Sequence, residues 1–89
     1  DKNQRNVAKH GIGFARAAKI FESPTLDWVD GRVDYGEERT ISLGMIEIVL
    51  VLVVVHTDRD GVTRIISARP AKRTERRIYD EEIRKRTDG

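Results

Sequence analysis

The sequence predicts an α+β domain: two N-terminal helices, an antiparallel sheet of about four strands, and a C-terminal helix. Three observations carry this expectation. Apolar spacing is helical up to Phe21 and switches to a period of two from Leu26. The run Ile48 to Val55 is continuously apolar and dominated by valine, as a buried central strand requires. The connections are short, which favours antiparallel neighbours over crossovers. At 89 residues the chain makes one small domain, spanning 1–89, that buries about two-thirds of its unfolded surface.

Asp1 to Lys9 reads as a short helix, with Gly11 at the left-handed C-terminal position and Lys9 and His10 at the negative end of the helix dipole. A second helix over about 14–22 places Phe14, Ala17, Ala18 and Phe21 on one face. Gly13 serves as its N-cap and Pro24 stops it. Alternation then gives a strand over about 25–29, in which Trp28 is expected in the core, with base stacking as the competing role, and the acidic stretch Asp30 to Glu38 is a loop. Thr40 to Met45 alternate as a second strand, and the apolar run to about His56 forms a third, although no clear turn dipeptide separates them near Gly44 to Glu47. Asp58 to Gly61 is a turn, Val62 to Ala68 a fourth strand, and Pro70 suits the first turn of a helix that runs to about Lys85. That helix has one narrow apolar stripe, Ala71, Thr74 and Ile78.

Charge is unevenly distributed. Residues 1–58 carry 7 Lys/Arg against 9 Asp/Glu, whereas residues 59–86 carry 10 against 5. A polyanionic partner for the C-terminal third follows, with a solvated, salt-bridged helix as the plainer alternative. The pairs Arg76–Asp80, Arg77–Glu81, Glu81–Lys85 and Glu82–Arg86 have the i,i+4 spacing that supports such a helix. Lys72 and Arg73 have no acidic partner at i+4, so they are better phosphate contacts. The chain has no cysteine, hence neither disulfides nor thiolate metal sites, and no secretory signal, which fits the cytoplasm. The apolar run is too short to span a membrane.

Arg64 and Arg69, on a strand leading into the basic helix, are expected near one sheet end, where two guanidinium groups clamp a phosphate and balance transition-state charge. The structural alternative is pairing with Glu37, Glu38 or Glu75. His10 is a candidate proton carrier, with helix capping as the competing role. His56 ends the buried strand and is expected to reach the sheet end near Arg69. Tyr79 is either a packing residue or an RNA contact. No zinc or calcium spacing, phosphate-binding loop, dinucleotide fingerprint or nucleophile elbow is present, so neither metal nor cofactor is implied. Acid–base and electrostatic cleavage of RNA needs no cofactor, because the 2′-hydroxyl supplies the nucleophile.

Several segments together resemble the BrnT family of bacterial type II toxins: K-N-Q-R-N-V-A-K-H-G (residues 2–11), Phe14 with Ala17 and Ala18, Glu38-Arg39, V-V-V-H-T-D-R (53–59), R-I-I-S-A-R-P-A (64–71) and E-R-R-I-Y (75–79). The resemblance implies a fold similar to the RelE ribonuclease toxins and a metal-independent endoribonuclease that arrests translation. It also implies neutralisation by a BrnA-like ribbon-helix-helix antitoxin, in a hetero-oligomer that meets operator DNA only through that antitoxin. Lys9 and His10 stand at the family's Lys-His-Gly position, and Glu38, Arg39, Arg64, Arg69, Arg76 and Tyr79 at its other polar positions. On this reading Arg64, Arg69, His10 and Tyr79 are the catalytic candidates, and Lys9, Lys72, Arg73 and Arg76 hold RNA. Two departures stand out: His56 replaces a common Tyr, and the family's first strand, with an aromatic-Trp-Asp segment, has no counterpart before Asp1. A trimmed N-terminus and an exposed sheet edge are expected from the second. Two further readings compete with a nuclease: a non-catalytic module that docks its basic helix on nucleic acid or an acidic protein, and a structural subunit whose arginines serve an interface.

Overall fold

The computed structural model describes residues 1–31 and 36–88. Part of the loop expected over 30–38 therefore lies outside the described residues. Helix α1 spans Lys2–His10, capped by the Asp1 carboxylate on the Gln4 N–H and closed by Gly11 at φ 73°. Helix α2 (Phe14–Ala17) starts from Gly13 and tightens into a 3₁₀ turn over Ala18–Glu22. Strands β1 (Leu26–Val29), β2 (Thr40–Ile46), β3 (Leu50–Arg59) and β4 (Val62–Pro70) follow, and helix α3 (Arg73–Asp88) ends the described chain. The strands form an antiparallel meander in the order β1-β2-β3-β4, the α+β architecture that the change of period predicts.

Two boundaries and two buried faces differ from the sequence reading, each for a physical reason. The apolar run is broken at Glu47 and Ile48, both at positive φ, so that Ile46 pairs with Leu50 across a hairpin. Ile48 is β-branched in a left-handed conformation and 87 % exposed, so a run of apolar residues conceals a turn. Second, Pro70 closes β4 on Leu52 instead of opening α3. The helix starts at Arg73, and the Glu75 carboxylate reaches back to the Lys72 N–H at 2.8 Å, one half of a capping box. Third, Ala17 and Ile20 are buried in place of the Phe14/Ala17/Ala18/Phe21 face, because the 3₁₀ turn rotates Ala18 and Phe21 outward. Last, α3 turns Tyr79 and Ile83 to the sheet, with Ala71 before it, and leaves Thr74 and Ile78 exposed. Of the four expected i,i+4 pairs on α3, only Arg76–Asp80 forms; Glu82 takes Lys85 instead. Such exposed pairs are individually too weak to dictate side-chain position.

Alternation divides the sheet residues between two faces. Leu52, Val54 and Ala68 pack with Ile12, Ala17 and Ile20 under the N-terminal helices. Leu26, Leu43, Val51 and Val53 pack on the other face against Tyr79, Ala71 and Ile83. Gly44 allows the first layer to close, since a Cβ there would stand 2.5 Å from Ile20 Cβ.

At Ala68 the β4 edge is occupied by a side chain. Asn6, buried on α1, donates from Nδ2 to the Ile12 and Ala68 carbonyls at 2.8 Å each, and its Oδ1 accepts the Ala68 N–H at 3.1 Å. The amide thus takes the place of a neighbouring strand at Ala68. Replacing Asn6 with Ala leaves three buried backbone groups without partners and is expected to cost about 2–4 kcal/mol. Urea unfolding of the parent and N6A proteins measures it, and a cost under about 0.5 kcal/mol would show that water replaces the amide there.

Candidate functional site

The half of the sheet that α3 leaves uncovered holds a cleft of about 390 Å³. Its floor is one row across all four strands, Trp28–Ile41–Val55–Ser67, as the strand registers require. The adjacent row, Leu26–Leu43–Val53–Arg69, has its three apolar members buried beneath α3. One row further on the cover ends. Trp28 is therefore 45 % exposed, correcting its expected place in the core.

The walls carry the charge. Lys9 and His10 enter from the end of α1, and Arg69 and Glu75 from the β4–α3 junction. The Asn6 bridge to Ala68 sets α1 against β4 and so brings His10 beside Ser67 and Arg69. Arg69 is gripped at both terminal nitrogens by Glu75, each contact 2.8 Å, with a further bond from Nη1 to the Pro70 carbonyl. That fork orients the guanidinium, and Arg69, with the Lys72 N–H, holds the Glu75 carboxyl down at about 2. The pair is close to neutral in net charge. The positive field comes from Lys9, with Lys2 and Arg5 beside it along a contiguous groove lined also by His10 and Ser67. Lys2, Arg5 and Lys9 fall at i, i+3 and i+7, one basic ridge on α1.

Other sequence candidates stand elsewhere. Arg64 pairs in register with Thr57 and is exposed; a bulge between Val55 and His56 and the four residues Ile65 to Ala68 part it from Arg69. Tyr79 is 5 % exposed in the core. Burial raises its phenol above the ordinary value, as does the Asp80 charge, while a hydrogen bond from the Met45 backbone acts the other way. Arg76 spans the Val49 carbonyl (2.7 Å) and Asp80. Lys72 and Arg73 are exposed at the start of α3, next to Glu75 in sequence.

His56 does not reach Arg69. It lies on the opposite face, beneath the edge of Phe21, with Nε2 2.8 Å from Ser42 Oγ and Nδ1 3.1 Å from Asp58 Oδ1. The Ser-His-Asp sequence of contacts suggests a nucleophile, but Ser42 is wholly buried and gives its proton to Asp27. The chain of bonds ties β1, β2 and β3 together. Among the described residues no three His, Asp or Glu side chains converge to hold a metal ion, and no helix is long and apolar enough to cross a membrane.

Over residues 1–75 the sequence matches the family model of the ribonuclease toxin, BrnT, of type II toxin–antitoxin systems. Every residue lining the cleft falls within that span, whereas Arg76, Tyr79 and the rest of α3 fall beyond it. No curated protein matches the chain.

The Arg69–Glu75 fork has a pH signature. A carboxyl lowered from its ordinary 4.5 to about 2 stabilises the fold fully above pH 4.5, and loses that contribution as pH falls from 4.5 towards 2. Glu75→Gln is therefore expected to lower stability near pH 6 by about 1 kcal/mol, a figure kept small for a partly solvated pair. The gap between the two proteins should narrow steadily in urea melts taken at successively lower pH. A gap that stays constant across that range would show that Glu75 stabilises without its charge.

Proposed function

Because the chain belongs to the BrnT family of ribonuclease toxins of type II toxin–antitoxin systems, we propose that the cleft on the uncovered half of its sheet cleaves RNA without a metal ion. The observation that carries this reading is the convergence of His10, Lys9 and Arg69 on one concave surface. In the reaction the 2′-oxygen bonds to phosphorus as the P–O5′ bond breaks, leaving a 2′,3′-cyclic phosphate and a 5′-hydroxyl. Arg69, aimed by Glu75, and Lys9 hold the phosphate and offset the charge that grows on its oxygens. His10 moves the proton, since imidazole is the side chain that exchanges protons near neutral pH. Glu75 lines the same cleft but is too weak a base at about 2, and its oxygens are occupied by Arg69.

Lys72 and Arg73 guide the flanking strand, together with the Lys2–Arg5–Lys9 ridge. In this reading Arg76 and Tyr79 serve the fold, and Arg64 acts at most as a distant strand contact. The cellular consequence is arrest of translation in the cytoplasm by one toxin domain spanning 1–89. A BrnA-like ribbon-helix-helix antitoxin restrains it in a hetero-oligomer that reaches operator DNA through the antitoxin alone. A second reading keeps one observation of its own: Arg77 and Arg84 are exposed on α3 and have no ion pair among the described residues. There the chain docks on nucleic acid or an acidic protein and cleaves nothing.

Cleavage of end-labelled single-stranded RNA in excess EDTA separates the two. The parent protein is expected to generate new ends, His10→Ala to be slower by about 100-fold or more, and Arg69→Ala by a similar factor, with both variants folded. Salt-sensitive binding with no new ends would leave the docking reading. Full activity in folded R69A would remove Arg69 from the site.

A further inference from the structure

We propose that Trp28 is a stacking platform for a nucleobase, which makes the cleft a single-strand-specific site; this rests on the reading of the cleft as an RNA site. An indole at 45 % exposure on an edge strand needs explaining, because neighbouring Leu26 on the same face is buried. Among the described residues no aromatic ring packs on it: the ring contact in the structure is Phe21 with His56, on the other face. Trp28 shares the cleft with Lys9, His10 and Arg69. The floor between them is apolar, Ile41 and Val55, and bears no charge that would hold a second phosphate.

The geometry sets the spacing. Trp28 on β1 and Ser67 on β4 end the same row, three strand separations apart, or about 14 Å. A phosphate at the Lys9, His10 and Arg69 wall therefore leaves room along the floor for a splayed flanking nucleotide whose base meets the indole. A base held in a duplex cannot present its face there, whereas a single strand can. Aromatic platforms of this kind accept any base, so the platform selects strandedness and leaves sequence preference to other contacts.

Trp28 is the chain's only tryptophan, so its emission reports on this position alone. The probes are a short 2′-O-methyl oligoadenylate, which cannot supply the nucleophile, and the same strand made abasic. The oligoadenylate is expected to quench Trp28 emission, and the abasic strand to bind without quenching. By anisotropy, Trp28→Ala should bind the oligoadenylate about tenfold more weakly, bind the abasic strand unchanged, and keep the parent's salt dependence, since no phosphate contact is lost. Trp28→Phe should recover part of the loss. Oligoadenylate binding without quenching, at equal affinity in folded W28A, overturns the platform and leaves RNA cleavage at the cleft standing. Quenching by a protein that fails to cleave unmodified RNA supports the platform and refutes only the catalytic reading.

Discussion

The site depends on a single buried amide. Asn6 satisfies both backbone groups of Ala68 on the edge strand and the Ile12 carbonyl in the loop after α1. It therefore does two jobs that a small domain would otherwise need separate elements for. It occupies the edge of β4 at Ala68, and it sets the end of α1 against that strand. Lys9 and His10 follow within one helical turn, so their place beside Ser67 and Arg69 is inherited from that bridge. A second Asn one turn earlier, Asn3, accepts the Phe14 N–H at 2.7 Å and holds the loop between the two helices.

The cleft itself is a consequence of incomplete cover. The N-terminal helices close one face of the sheet with Ile12, Ala17 and Ile20, while α3 covers the opposite face from one end only. The row that α3 reaches is core, and the next row is floor. Tyr79 marks the covered end, its phenol oxygen taken up at Met45 on a stretch of β2 that β1 does not reach. His56, Ser42 and Asp27 stitch the strands on the face under the N-terminal helices, and the half of the opposite face beyond α3 carries the cleft, with Ile41 and Val55 on its floor and charged side chains on its walls.

Most of the fold was legible in the sequence. The period change at Leu26, the valine run and the Asp-Gly turn at residues 60–61 are local signals, and the meander they predict forms. Boundaries failed where a local preference lost to pairing: Ile48 at the hairpin tip and Pro70 at the end of β4. Within the site, Lys9, His10 and Arg69 were visible as types in suggestive places. Their convergence was not, because it depends on Asn6, whose role requires knowing which strand lies at the edge. The Lys2–Arg5–Lys9 ridge was readable from its spacing and was overshadowed by the larger charge of the C-terminal helix. Of the two roles open to Trp28 the core one fails, because alternation assigns a face but not how far the covering helix extends along it. Glu75, at the third position of α3, carried the helix-start signal that Pro70 obscured.

Two positive surfaces compete as the place where RNA binds, the cleft and the outer face of α3, and mapping them decides the account. Amide chemical shifts of the ¹⁵N-labelled protein, followed while a 2′-O-methyl single strand is added, give that map directly. Binding in the cleft predicts shifts concentrated at residues 9–10, 28, 41, 55, 67 and 69, on both sides of the Asn6 bridge. Shifts concentrated at residues 77, 84 and 85, with the cleft unmoved, would contradict it and return the function to the basic helix.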